Sequence, residues 1–192
     1  MLSSRLTWAR YAAALAVIGI VLWFPFGRGV RVPLLWAADL GFHELGHMLA
    51  IPLGQTMHFL AGSATQVLVP LGLAAYFWIR QRHHVAVGLM LAWAAAAAYD
   101  AAVYIADAPY ERLPLIGGHH DWAFLLTRWN ALHQAETIAG AVRFGGLLVG
   151  LAGVTVCAVP LFDDVRRRLR QRTRLGGAAG QPVREIRWRG HR

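Results

Sequence analysis

The stretch VAVGLMLAWAAAAAYDAAVYIA, residues 85–106, carries a single charged side chain, that of Asp100. A helix needs about 20 predominantly apolar residues to cross the hydrocarbon core of a bilayer, and this stretch is long enough to do so. Four further windows come close to that length, at residues 11–26, 32–52, 57–79 and 137–162. The sequence therefore predicts an all-α, polytopic membrane helical bundle of about five spans over residues 1–162.

The composition also favours a membrane protein. Of 192 residues, 57% are hydrophobic and 15% are charged, which leaves too few polar side chains to cover a soluble domain of this size. The formal net charge is +9, and every basic residue is Arg. Residues 163–192 are rich in Arg and Gly and predict a basic tail with a short amphipathic start followed by disorder. We expect this tail to orient the chain and meet lipid headgroups, not nucleic acid.

The remaining Arg residues predict a topology. The positive-inside rule places Arg28, Arg31, Arg80, Arg82 and the tail on the cytoplasmic side of a bacterial inner membrane, and Arg112 and Arg128 on the other side. Five spans then put the N-terminus opposite the tail. A half-inserted sixth segment at residues 122–132 would change that parity.

The run Ala94–Ala98 predicts a small-residue helix face for close helix packing. Cys157 is the single cysteine, which excludes an internal disulfide and any multi-cysteine metal cluster.

Four ionisable side chains, Asp39 among them, interrupt the second window. His43, Glu44 and His47 form an HExxH pattern in the stretch ADLGFHELGHMLA, residues 38–50. Residues four apart share a helix face, so the two His can bind one Zn²⁺ while Glu44 activates a zinc-bound water. Each ionisable residue at membrane depth costs about 2.5–3.5 kcal/mol on insertion scales, so this group calls for a partner such as a metal. Hydrogen bonding between helices, without a metal, is the alternative.

The third zinc ligand has several candidates, since catalytic zinc usually has three protein ligands and one open position. Asp121 follows a Gly-rich turn, where it could equally cap a helix. Asp100 lies in the fourth window at the expected depth of His47. We take Asp121 as the ligand, with Asp100 and His120 as alternatives.

Further polar positions lie near the HExxH pattern. Gly62, Gln66 and Pro70 are spaced by four in the third window. Gln66 could donate to a substrate carbonyl or oxyanion and Gly62 could let a substrate strand approach, although a simple packing stripe has the same spacing. Asp39, one turn before His43, could accept the outer ring N–H of a ligand His.

Several of these segments together resemble the integral-membrane zinc metalloproteases of the site-2 protease class, in particular compact bacterial relatives. The resemblance covers residues 32–160 and rests on HELGH at 43–47, GSATQ at 62–66 with Pro70, YIADA at 104–108 and HDW at 120–122. It implies hydrolysis of peptide bonds of a membrane protein or peptide, in or near the bilayer. The chain departs from that class because it has no Asp-Gly motif, which supplies the class's third ligand, and no room for a PDZ domain. The class also opens toward the cytoplasm, whereas the Arg distribution here places the site nearer the outer face.

Two other functions remain open from the sequence. A His-box di-metal oxidase or desaturase would combine His43 and His47 with the pairs at 83–84 and 119–120. It requires all of these His on one side of the membrane, whereas the two later pairs flank the fourth window. A non-catalytic membrane scaffold is the other alternative, and the intact Glu44 counts against it.

Overall fold

The structure is a computed structural model that describes residues 2–116 and 118–179, with side chains described for residues 8–116, 118–162 and 165–166. It is 85% helical, and no strand occurs in the part that is described, which confirms the all-α prediction. Within these described ranges the six α-helices are α1 (Leu2–Leu22), α2 (Leu35–Ala50), α3 (Gln55–Tyr76), α4 (His84–Asp107), α5 (Asp121–Arg128) and α6 (Ala135–Ala179). Short π-helical segments extend α1 through Gly27 and α3 through Gln81.

Four helical segments within the described ranges are long and apolar enough to cross a membrane. They are Trp8–Gly27, Gln55–Gln81, His84–Asp107 and Leu132–Phe162. The second predicted window forms α2, which has 16 residues and is shorter than a span requires. The proposed half-inserted segment forms α5, which has only 8 residues.

Helix α4 is the central helix of the bundle because its side chains are small enough for three neighbours to approach. Over half of its apolar window is buried, far more than in the other three long segments. The run Ala94–Ala98 is fully buried, and Gly146 and Gly150 of α6 pack directly on Ala95 and Ala98. The prediction of a close-packed small-residue face is confirmed.

Contacts along the helices correct the predicted topology. Arg10 on α1 hydrogen-bonds His83 at the start of α4 (3.1 Å), and Phe26 at the end of α1 packs on Tyr99. Helix α1 is therefore parallel to α4, with its N-terminus beside Arg80 and Arg82. The prediction that the N-terminus lies opposite these residues is wrong, and so is the placement of Arg28 and Arg31 beside Arg80 and Arg82.

The predicted topology is wrong because α1 and α2 together cross the bundle once, whereas the first two windows were expected to cross it twice. Arg31 lies 3.9 Å from Asp100 in the C-terminal half of α4, and α2 begins beside the middle of α4, where Trp93 donates to Asp39. Helix α6 then returns antiparallel to α4, since the Cys157 thiol contacts the carbonyl of His84 (3.6 Å). The start of α1 and the part of α6 that follows Cys157 therefore lie on the same side of the bundle as Arg80 and Arg82.

The predicted tail is more helical at its start than expected. Helix α6 continues without interruption past Phe162 to Ala179, whereas the sequence predicted only a short helical start. The predicted disorder of the last residues, 180–192, lies outside the described residues.

Candidate metal centre

Two imidazoles and one carboxylate converge where α2, α3 and α5 meet. His43 and His47 lie one turn apart on α2, and Asp121 is the first residue of α5. Asp121 Oδ2 lies 2.9 Å from His43 Nε2 and 3.1 Å from His47 Nε2. All three ligand atoms lie within 4.8 Å of one another, so this group could hold a metal ion.

Packing of the short helix α5 brings Asp121 to the His pair. Leu125 and Leu126 are fully buried against the C-terminal half of α4 and the start of α6. The Trp122 indole donates to Ser63 Oγ on α3 (2.9 Å), and the Asp121 backbone N–H donates to the Tyr104 hydroxyl (3.0 Å). These contacts fix the start of α5 against α3 and α4.

Hydrogen bonds to the outer ring nitrogens determine the tautomer of both His. His47 Nδ1 donates to the carbonyl of His58 (2.7 Å), which can only accept. Gln66 donates its amide to the carbonyl of Ala97 (3.0 Å), so its own oxygen faces His43 Nδ1 at 3.1 Å. Both Nδ1 atoms therefore carry the proton, and both Nε2 atoms present a lone pair toward Asp121.

This donor set fits a metal cation. The Asp121 oxygen lies about 3 Å from each imidazole lone pair, with no donor hydrogen of these three groups between them, and all three ligand atoms lie within 4.8 Å of one another. Ligands bonded at about 2.0–2.1 Å to a tetrahedral ion lie slightly more than 3 Å apart, which is close to the spacing here. The outer hydrogen bonds of both His match the partners that orient metal-ligating imidazoles in proteins.

Gly62 on α3 lies directly against the two His rings. A Cβ atom built at this position would be 2.7 Å from His43 Nε2 and 2.7 Å from His47 Nε2. The α3 backbone therefore borders the space in which the three ligand atoms meet. On α2, Gly46 lies between the two His in sequence, and a Cβ atom built there would clash with the Ala61 carbonyl of α3. Glycine on both helices therefore allows α2 and α3 to approach this closely.

A cavity of about 350 Å³ opens beside the triad. Glu44 is half-buried and lines this cavity together with both His ligands and Asp121. The far wall is the loop after α4, with Leu113, Pro114, Leu115 and Ile116. The HExxH glutamate thus opens onto the same space as the metal-binding atoms.

The other candidate ligands lie elsewhere. Asp100 lines the cavity but contacts Arg31 rather than the triad. His120 caps α5, since its Nδ1 accepts from the backbone N–H of Ala123 (3.2 Å), and its Nε2 lies 3.4 Å from Asp107. Asp39 accepts from Trp93 and orients neither His. The pair His83 and His84 lies at the opposite end of α4 from the triad, so the three His pairs are not brought together.

The electrostatics of α5 suit an ionised ligand. Burial by itself raises the pKa of the Asp121 carboxyl, but the facing rings of His43 and His47, which attract the carboxylate when either ring is protonated on both nitrogens, outweigh it and hold that pKa below its ordinary value. Burial lowers the pKa of His120, which agrees with a neutral ring whose Nδ1 accepts from the α5 backbone.

Sequence reasoning missed His58 and gave Gln66 a different role. His47 and His58 exchange reciprocal bonds, because His58 Nδ1 also donates to the His47 carbonyl (2.9 Å). Gln66 orients His43, and its amide group is already engaged with Ala97, so it does not face a substrate oxyanion. Neither partner has a local sequence signal, although the spacing of Gly62 and Gln66 did place both toward the site.

Replacing Gln66 with Leu should weaken metal-ion binding by about 10- to 100-fold, because His43 loses the acceptor that orients its ring. Competition with a chromophoric chelator measures the dissociation constant. Gln81→Leu is the matched control, since Gln81 lies at the far end of the same helical segment and is exposed. Equal affinities for the Gln66 variant and the wild type would contradict the orienting role.

Comparisons of the chain with models of protein families, with curated proteins and with solved structures find no match. Within the described residues, two imidazoles and one carboxylate form a group that could hold a metal ion, on an all-α chain with four helices long and apolar enough to cross a membrane.

Proposed function

We propose that this protein is a membrane-embedded zinc metallopeptidase. The observation that carries the proposal is the meeting of Asp121 with the HExxH histidines across 78 residues of sequence, with Glu44 lining the same cavity. Two His and one carboxylate are a common ligand set for catalytic zinc, and they leave a position open for reaction.

Zinc bound there would act as a Lewis acid that polarises a peptide carbonyl and lowers the pKa of water. Glu44 directly follows His43 on α2, and it is half-buried in the cavity. A carboxylate in that position can take a proton from the attacking water and return it to the leaving amine. Asp121 stays ionised beside the His pair and keeps the site's ligands together.

The cavity rim supports a substrate of low polarity. Trp36 and Ile116 line the cavity and are exposed, and Leu113 and Leu115 are half-exposed beside them. An apolar entrance between helices that are long enough to cross a bilayer suits a peptide segment held in or near the membrane. The resemblance to the site-2 protease class points to the same substrate.

The arrangement of charges supports an orientation. Arg10, Arg80 and Arg82 lie at one end of the bundle, to which α6 also returns, and the triad lies toward the opposite end of α4. The positive-inside rule makes the Arg-rich end cytoplasmic in a bacterial inner membrane, with the tail on that side. The site then opens nearer the outer face, which departs from the site-2 protease class.

Replacing Glu44 with Gln tests the proposal. We expect the zinc content to remain at one ion per chain and cleavage of co-expressed membrane peptides to fall at least 100-fold, since general acid–base catalysis contributes about 10²- to 10⁴-fold. Glu136→Gln is the matched control, because Glu136 is an exposed glutamate paired with Arg143 at the start of α6.

Equal cleavage by the wild type and Glu44→Gln would remove Glu44 from the mechanism. Elemental analysis separates the proposal from the oxidase alternative: one zinc per chain supports the peptidase, and two irons would support a di-metal oxidase. The structure gives no observation that favours the latter, because the His pairs at 83–84 and 119–120 are separated along α4.

A further inference from the structure

The cavity beside the triad also reaches a second group of charged side chains. Asp39, Asp100 and Arg31 line it together with the ligand residues. Asp39 lies one turn before His43 on α2, about 6 Å along the helix axis. Asp100 on α4 lines the same cavity as Asp39. Two carboxylates from different helices therefore share the space next to the triad.

Asp39 is only half satisfied. The residue is 2% exposed, and its Oδ1 accepts from the Trp93 indole at 2.8 Å. Its Oδ2 is buried, and none of the side chains or backbone groups described provides a donor to it. A buried carboxylate oxygen without a donor is unfavourable, so this atom is suited to a donor that a ligand supplies.

The charges of the cavity indicate which donor. The acidic side chains that line it are Asp39, Glu44, Asp100 and Asp121. Among the described residues of the lining, the only guanidinium belongs to Arg31, whose Nε lies 3.9 Å from Asp100 Oδ1. Asp39 and Asp100 therefore have one cationic side chain between them. A ligand that brings a positive charge with donor hydrogens complements these two carboxyl groups.

We propose that Asp39 and Asp100 form a subsite for a cationic group of the peptide substrate, an ammonium or a guanidinium. This inference rests on the proposed peptidase function and names its substrate class. An extended peptide advances about 3.3 Å per residue, so a group about 6 Å from His43 lies within two residues of a peptide bond held at the triad. A free N-terminus and a Lys or Arg side chain supply the same chemistry. Asp39 determines specificity and takes no part in bond cleavage.

Matched fluorogenic peptides in detergent micelles test the subsite. One pair differs by Lys against norleucine next to the cleavage position, and a second pair by a free against an acetylated N-terminus. We expect the zinc-loaded wild type to prefer the cationic member of one pair at least 10-fold in kcat/KM. Asp39→Asn should reduce that ratio to about one while zinc content stays at one per chain. Glu136→Gln, an exposed carboxylate-to-amide change at a residue that does not line the cavity, should keep the wild-type ratio.

The same peptides are also measured for binding to Glu44→Gln by fluorescence anisotropy. Preferential binding of the cationic member, lost in the Asp39→Asn double variant, supports the subsite whether or not any peptide is cleaved. Cleavage of both members at equal rates overturns the subsite and leaves the peptidase proposal standing. If no peptide is cleaved, that result counts against the peptidase proposal. If, in addition, the two members of each pair bind Glu44→Gln equally or not at all, the subsite is overturned too. A second metal ion per chain that Asp39→Asn removes would also overturn it, because the carboxylates would then hold a metal.

Discussion

Replacing Gly62 with Ala should abolish metal binding and, with it, any peptide cleavage. The added Cβ would lie 2.7 Å from the Nε2 atoms of both His43 and His47, a distance at which something must shift. The methyl group sits on the backbone of a long helix and cannot rotate away, so it must push the imidazoles apart or occupy the place of the ion. Under the proposed function, we expect the metal content of the purified protein to fall from one zinc per chain to nearly none.

The matched control is Gly72→Ala on the same helix. A Cβ at Gly72 meets nothing within 4 Å, and Ala has the higher helix propensity, so this variant should keep its zinc and its stability. Zinc titration followed by calorimetry gives both affinities. Stoichiometric zinc in Gly62→Ala, with the affinity of the wild type, would show that the metal does not lie between the two His rings and α3.

Replacing Gly153 with Leu should destabilise the bundle. A Cβ at Gly153 would lie 2.8 Å from the carbonyl oxygen of Gly88 and 3.1 Å from Leu91 Cβ, where α6 packs tightly on α4. The obstacle is backbone, so the helices must separate along their whole contact. Overpacking of a tight interior typically costs about 1–3 kcal/mol, and a Leu side chain here belongs at the upper end of that range.

Thermal unfolding of the detergent-solubilised protein measures this loss, and Gly145→Leu provides the control. Gly145 lies on the exposed side of the same helix, where a Cβ meets nothing within 4 Å. Its substitution should leave the unfolding midpoint unchanged, whereas Gly153→Leu should lower it by several degrees. Equal midpoints would mean that α4 and α6 do not approach each other at Gly88.

The apolar windows could be predicted from the sequence because hydrophobic length is a local property. The second window was the exception. Its apolar residues continue through the turn at Pro33 and Leu34, and hydropathy does not register that the helix begins only at Leu35. The number of passages, and with it the side on which Arg31 lies, depended on that one boundary.

The candidate site was predictable to a similar extent. The two His and Glu44 follow from spacing on one helix, and a Gly-rich turn pointed to Asp121. The partners that set the tautomers are different in kind, because a carbonyl at Ala97 or His58 becomes an acceptor only after α2, α3 and α4 have packed. The roles of Gln66 and His58 depend on tertiary contacts, which the spacing of residues along one helix does not encode.

The break between α1 and α2 has a consequence for hydration. Residues 28–34 are irregular backbone beside the middle of the bundle, and Arg31 from this segment lines the cavity. Peptide groups that lack helical partners persist at membrane depth only where protein buries them or water reaches them. In a membrane-embedded molecule this interruption must be covered by protein or reached by water, and its place beside the cavity gives water a route to the cavity from that side.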